Sequence, residues 1–314
     1  MSLFTNLQFW QDILISTVRM ATPLLFVSLA ALFSEKAGMV NIGLDGIMEI
    51  GALAGFMVCY LTKNPAMGIL AGMCAGILIN MIYACCTVSL CGEQIVYGMV
   101  LNILAPALAA FIYRAYFGIN SSLPQDVQMG TLNLPILRGH TFLHDLLFNQ
   151  TPMVYLVFAL VILSALFFNK TRVGLMYRAV GEYPQAAETL GINVIRMKYL
   201  ACALCGALAG VGGAYLTTCY VNTYTNGIIA GRGFIALTAV IFGRWTSTGI
   251  MLACLLFGFF DALQLRLQVV NTTTPYQLFQ MIPYVVTLLA LVIFGIQKAG
   301  PKANGKAFIR EQRS

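Results

Sequence analysis

Apolar residues run in blocks of about 20 along this chain, long enough to cross the roughly 30 Å hydrocarbon core of a bilayer as helices. The blocks fall at 12–33, 41–61, 67–90, 95–113, 152–169, 199–219, 228–243, 247–267 and 279–296. This pattern predicts an all-α, polytopic transmembrane helical bundle of about nine spans, within a range of eight to ten. Nothing between the blocks is long enough for a separate soluble fold, so residues 1–314 are expected to form a single transmembrane domain.

The longest polar interruption, 170–198, breaks the series in its middle. Its centre predicts a short helix: Glu182 is an early acidic residue, Pro184 suits a first turn, and Gly191 can end it. A helix this short is marginal alone. It needs support from the membrane domain beneath it or from a second protein docked over it.

Charged residues are 9% of the chain and hydrophobic residues 59%, with a mean hydropathy of +0.82, which excludes an ordinary soluble protein. The net charge of +7 therefore reports orientation beside apolar spans and not nucleic-acid binding. Loop 170–198 carries five basic and two acidic residues, and the tail 297–314 five basic and one acidic. Both are expected in the cytoplasm, the tail as a basic extension. Loop 114–151 nets zero, with Arg114 and Arg138 against Asp126 and Asp145, and is expected outside together with the N-terminus. The first residues carry no basic region or small-residue cleavage site, so no removable signal is expected. Most of the nine cysteines lie within apolar blocks, where they act as small hydrophobes and predict no disulfide framework. Cys202 and Cys205 have redox-motif spacing but lack an accessible setting.

An internal repeat is visible. The segments 51–62 and 206–217 both begin Gly-Ala-Leu-Ala-Gly, both end Tyr-Leu-Thr, and agree at eight of twelve positions at an offset of 155. Small residues also recur wherever membrane helices approach closely. Two-fold repeats are common in transporters, with the solute path at the repeat interface. The span count makes these halves parallel.

Polar residues at membrane depth mark a candidate translocation path. Asn41, Gly43 and Asp45 precede Glu49 at the mouth of one block, and two acids four apart repel unless a partner such as Arg19 or Lys36, headgroup water, an aqueous cavity or a raised pKa relieves them. Gln94, Tyr97 and Asn102 follow a Cys-Gly-Glu break at 91–93 that fits either a turn or a broken helix. Asn226 precedes Gly231, Arg232, Gly233 and Phe234, and glycines on both sides of an arginine suit a chain that leaves helical geometry beside a cavity. Asp261 with Arg266 suits a structural pair.

Two motifs carry no such weight. The tail matches Gly-x4-Gly-Lys at 300–306, but Ala307 replaces the Mg²⁺-binding Ser or Thr and no strand precedes it. His140 and His144 have helical spacing without the Glu or third ligand of a zinc site. No metal site and no resident cofactor are expected.

Three stretches, Ser34–Met48, Arg178–Ile192 and Gly231–Trp245, together resemble an ATP-binding-cassette (ABC) importer permease of the branched-chain amino acid and simple-sugar superfamily, closest to the shorter permease of nucleoside uptake systems. The resemblance spans nearly the whole chain. It implies a coupling helix seated in an ABC ATPase subunit, a role that falls on Glu182, Tyr183, Pro184, Ala186, Ala187, Glu188 and Gly191. It further implies a second permease subunit of a different, longer chain, an extracytoplasmic substrate-binding lipoprotein, and the lipid bilayer of the bacterial cytoplasmic (inner) membrane as setting. ATP and Mg would bind in the partner ATPase, so this chain is expected not to be an enzyme. The competing expectation is an ion-gradient-driven secondary transporter using Asp45, Glu49 or Glu93; a permease for simple sugars or another small solute is the nearer alternative.

Overall fold

The computed structural model describes residues 7–118, 128–133, 141–270, 276–294 and 300–308. Its α-helices are α1 (Leu7–Lys36), α2 (Leu44–Thr62), α3 (Pro65–Ala84), α4 (Gln94–Phe117), α5 (Thr141–Leu147), α6 (Pro152–Lys170), α7 (Arg172–Glu182), α8 (Pro184–Thr189), α9 (Val194–Tyr215), α10 (Arg232–Phe242), α11 (Ser247–Val270) and α12 (Tyr276–Phe294). A π-helical turn extends α3 over Cys85–Ser89, and another extends α9 over Leu216–Tyr220. The two-residue pairing of Leu132 with Gln150 and Asn133 with Asn149 is a minor clip.

Among the described residues, seven helices are long and apolar enough to cross a membrane. Of the nine expected spans, 228–243 is corrected: it becomes α10, whose 11 residues reach only about 16 Å at 1.5 Å per residue. Block 279–296 forms α12, whose 19 residues equal the length of α2 and α6. The cause at α10 is local: Ala230 at φ 50° and Gly227 and Gly231 at φ 75° and 77° cannot continue a right-handed helix.

The core is built by α1, α2 and α9, with α3 laid against the last two. Glycines set this packing. A Cβ at Gly51 would lie 2.5 Å from the Gly210 carbonyl oxygen, and one at Gly55 2.7 Å from the Ala214 Cβ, so α2 and α9 run in the same direction with backbones touching. On α3, Gly68 meets Thr218, Gly72 meets Ala214 and Gly76 meets Gly206, which makes α3 antiparallel to α9. The two Gly-Ala-Leu-Ala-Gly segments are thus packed on each other. Without a hydrophobic drive between helices in lipid, such close approach supplies the dispersion contact that holds the bundle.

The long helix α1 gives a ruler for depth. Arg19 bonds Gln150 near one end, Ser28 donates to the Ala236 carbonyl, and Glu35 accepts from Trp245 at the other end. Helix α10 therefore starts near mid-depth and descends beside α1 to the Glu35 end. Residues 221–231 cover the remaining half of that pass without helical structure.

Candidate functional site

Two breaks meet at mid-depth. Residues 37–43 lead from the end of α1 inward to the start of α2, and 221–231 lead inward from the opposite end to the start of α10. Ser28 is eight residues, or about 12 Å, from the end of α1, and Gly233 precedes Ala236 by about 4.5 Å, so Asp45 and Gly233 meet roughly 16 Å deep.

There the two acids of α2 hold the opposing break. Asp45 Oδ1 accepts the Gly233 amide at 2.8 Å, so a carboxylate from one helix caps the N-terminus of another. One turn along, Glu49 Oε1 accepts the Tyr224 hydroxyl at 2.7 Å and the Gly227 amide at 3.2 Å. Glu49 is 2% exposed. The expected relief of these acids by Arg19 or Lys36 is replaced by backbone amides and a phenol. Tyr224 is itself set by rings, 5.1 Å from Tyr113 and 6.1 Å from Phe56 between centroids. Arg232 donates back to the Ile228 and Ile229 carbonyls at 3.1 Å each, which satisfies the broken backbone.

The expected path residues divide into two groups. Asn41, Gly43 and Gln94, all buried, form a brace with the half-buried Asn102: Asn41 donates to Asn80 at 2.7 Å, its Oδ1 accepts the Gly43 amide at 2.9 Å, Gln94 accepts from the Val40 amide at 2.7 Å, and Asn102 accepts from the Gly46 amide at 2.9 Å and donates to the Ile42 carbonyl at 2.8 Å. Asn80, which sequence reasoning missed, completes the brace by donating to the Cys202 carbonyl at 2.5 Å. A lone amide in an apolar block was the available signal. Asn226, Tyr97 and Phe234 are instead exposed, while Asp45, Gly231 and Arg232 are half-buried and Gly233 is buried. Glu93 lies exposed ahead of α4 and does not join the acids on α2. The expected Asp261–Arg266 pair is corrected: Arg266 bonds Asp12 at 2.6 Å, one helix away, and Asp261 turns toward a cavity of about 340 Å³ shared with Arg232, Gln264 and Tyr284.

A second polar surface lies at the Glu35 end. Loop 170–198 folds as two helices, α7 and α8, separated at Tyr183 (φ −144°, ψ 83°). Thr171 caps α7 through the Gly174 amide at 2.9 Å, and Pro184 opens α8. Helix α8 ends where Ile192 N donates to Ala187 O at 3.1 Å and Gly191 N to Glu188 O at 2.9 Å, with Gly191 at φ 82°, the pattern of a Schellman cap. Pro184 and Ala187 face inward, Glu188 is half-buried, and Glu182, Tyr183, Ala186 and Gly191 face out. Beneath them Tyr177 is fully buried, which pushes its phenol well above the ordinary range and keeps it neutral. His144 lies 3.5 Å from Asp145, while His140 is outside the described residues.

Comparison with known proteins adds a family. The model of the branched-chain amino acid transport system / permease component family matches residues 13–291. The chain is 38% identical to the nucleoside ABC transporter permease protein NupC of Lactococcus lactis subsp. cremoris, over 93% of this chain and 95% of that protein. It is 34% identical to the guanosine ABC transporter permease protein NupQ of Bacillus subtilis, over 95% and 96% of the two chains. It is also 32% identical to TsgC13 of Haloferax volcanii, assigned as a glucose ABC transporter permease, over 91% and 92%.

Proposed function

The chain belongs to the branched-chain amino acid transport system / permease component family and is a multi-pass permease subunit of an ABC importer; we propose that its solute is a nucleoside, carried by alternating access. The observation that carries the solute class is the likeness to NupC and NupQ over nearly the full chain. A transport subunit of this family works with an ATPase and a binding protein. In the reading advanced here the ATPase binds ATP and Mg and docks on residues 182–191 within the cytoplasmic loop 170–198. The second permease is a different, longer chain, and a lipoprotein delivers solute on the far side of the bacterial cytoplasmic membrane.

The outward face of α8 supports the docking assignment. Its buried side is fixed by Pro184 and Ala187, while Gln185, Ala186, Thr189 and Leu190 project from a rigidly capped helix. Motion imposed there would pass along α9 to the mid-depth junction, where Asp45 and Glu49 hold residues 221–233. Those residues and the exposed Asn226 and Phe234 are assigned to the translocation path. Asn41, Gly43, Gln94 and Asn102 support it from behind, and Tyr97 lines its α4 side. The matching segments of α2 and α9 are read as remnants of an internal two-fold duplication, with nine passes made by the seven long helices, by α12, and by α10 together with residues 221–231.

Uptake of radiolabelled guanosine and uridine into proteoliposomes containing the ATPase, both permeases and the binding protein tests the solute class. ATP-dependent uptake competed by excess unlabelled nucleoside is expected. Competition by glucose alone would favour the sugar reading that the likeness to TsgC13 supports.

A further inference from the structure

Residues 300–308 do not extend freely. They lie as a strap across the Glu35 end of the bundle, and three of them, Pro301, Ala303 and Phe308, are buried. The Ala303 amide donates to the Gly181 carbonyl at 2.9 Å, tying the strap to the last turn of α7. Lys302 Nζ donates to the Tyr183 hydroxyl at 2.6 Å and sits 4.9 Å from the centre of that ring, at the residue that separates α7 from α8. This bond and the phenol beside it raise the Lys302 pKa, so the lysine stays charged. The Lys306 carbonyl accepts from Gln94 of α4 at 3.3 Å and from the buried Lys198 of α9 at 3.5 Å. The Phe308 ring closes a small apolar cluster with Val180, Ala187 and Val194.

Nine residues thus touch the end of α7, the inward face of α8, and the starts of α4 and α9. Helix α8 has only six residues and cannot hold its own position. Its inward residue Ala187 rests on Phe308, and its entry residue Tyr183 is gripped by Lys302.

We propose that residues 300–308 are the positioning element of the ATPase docking platform, which holds α8 at a fixed angle to the bundle so that movement of the ATPase reaches α4 and α9. The proposal rests on the docking assignment of 182–191. Lys302, Ala303 and Phe308 are positioning residues, and none is placed in the solute path. Lys302 and Lys306 are also exposed beside α8, so the strap adds positive charge to the surface that meets the partner.

The test uses the full complex in proteoliposomes, with guanosine moved per ATP hydrolysed as the readout and ATPase co-purification as the assembly control. Phe308→Ala and a chain ending at Ala299 are expected to lower the coupling ratio several-fold while the ATPase subunit still co-purifies, and Phe308→Leu is expected to restore it. An unchanged ratio in Phe308→Ala overturns the proposal, as does raised uptake in the shortened chain, which would make the strap a brake. If the shortened chain fails to insert, Phe308→Ala against Phe308→Leu still decides. Glu188→Lys separates the two readings: uncoupling by Glu188→Lys with none from Phe308→Ala removes the strap alone, whereas normal coupling in both removes the docking assignment as well.

Discussion

Replacing Glu49 with alanine should release the segment that α2 holds. The carboxylate oxygen accepts two donors, the Tyr224 hydroxyl at 2.7 Å and the Gly227 amide at 3.2 Å, and the acid is 2% exposed. Removal leaves the Tyr224 hydroxyl, 1% exposed, unpaired at about 1–3 kcal/mol, while the exposed Gly227 amide regains water and forfeits only about 0.5–1.5 kcal/mol, so the held state loses about 1.5–4.5 kcal/mol relative to a released one. Since each ~1.4 kcal/mol is a tenfold change, the released population should rise at least ~10-fold. Glu49→Gln keeps an acceptor oxygen in place and should lose only about 0.5–1.5 kcal/mol. Ile229, 1% exposed within the held segment, reports the release when changed to cysteine in a background whose exposed Cys74, Cys85 and Cys91 are replaced. The labelling rate by a membrane-impermeant maleimide should rise at least tenfold in Glu49→Ala, with guanosine uptake falling in parallel. Equal labelling rates in the alanine and glutamine variants would refute the idea that these hydrogen bonds hold the segment.

Other expectations follow from the packing and the caps. Asn80→Ala removes both the acceptor for Asn41 and the donor to the Cys202 carbonyl, and should cost about 2–4 kcal/mol, read as a lower midpoint of thermal unfolding in detergent. Gly76→Val places a branched side chain where Gly206 and Gly210 already touch, and should abolish a monodisperse purified protein, whereas Gly130→Val, with nothing within 4 Å, should purify normally. Gly191→Ala meets no neighbour within 4 Å but forces φ 82° on a residue with a Cβ, so it should loosen the α8 cap by about 1 kcal/mol, measured as faster amide exchange at Ile192 with ATPase binding retained.

The long apolar blocks were legible because a helix that faces either lipid or other helices needs no amphipathic pattern, and each block gives an element within a few residues of its expected bounds. Block 228–243 was misread because apolar composition reports burial, not conformation: Ile228 and Ile229 are apolar yet belong to a chain turning at Gly227 and Ala230. Pro184 and Gly191 were readable because their backbone requirements are local. The partners of Asp45 and Glu49 were not, since they lie 188 and 175 positions away and are largely backbone amides, which every sequence offers everywhere. Asp261 was assigned to Arg266 by proximity in sequence, although antiparallel packing on α1 delivers Asp12 instead. The tail was read as a free basic extension because its charge dominates its composition, yet its backbone and Phe308 make the contacts.

Helix α9 and its π-helical turn form one rod of 27 residues, Val194–Tyr220, about 40 Å long. One end begins beside Asn193 at the foot of α8, and the other feeds directly into the broken segment that Glu49 holds. A rod pivoting about its inner end moves its far tip along an arc, so a tilt of only about 5° would carry that tip by about 3.5 Å. That exceeds the stretch a hydrogen bond survives. The glycine contacts along its length leave no compressible layer to absorb the rotation, so small angular work done at the α8 end would arrive at the far tip, where the broken segment begins, as a shift of hydrogen-bond size.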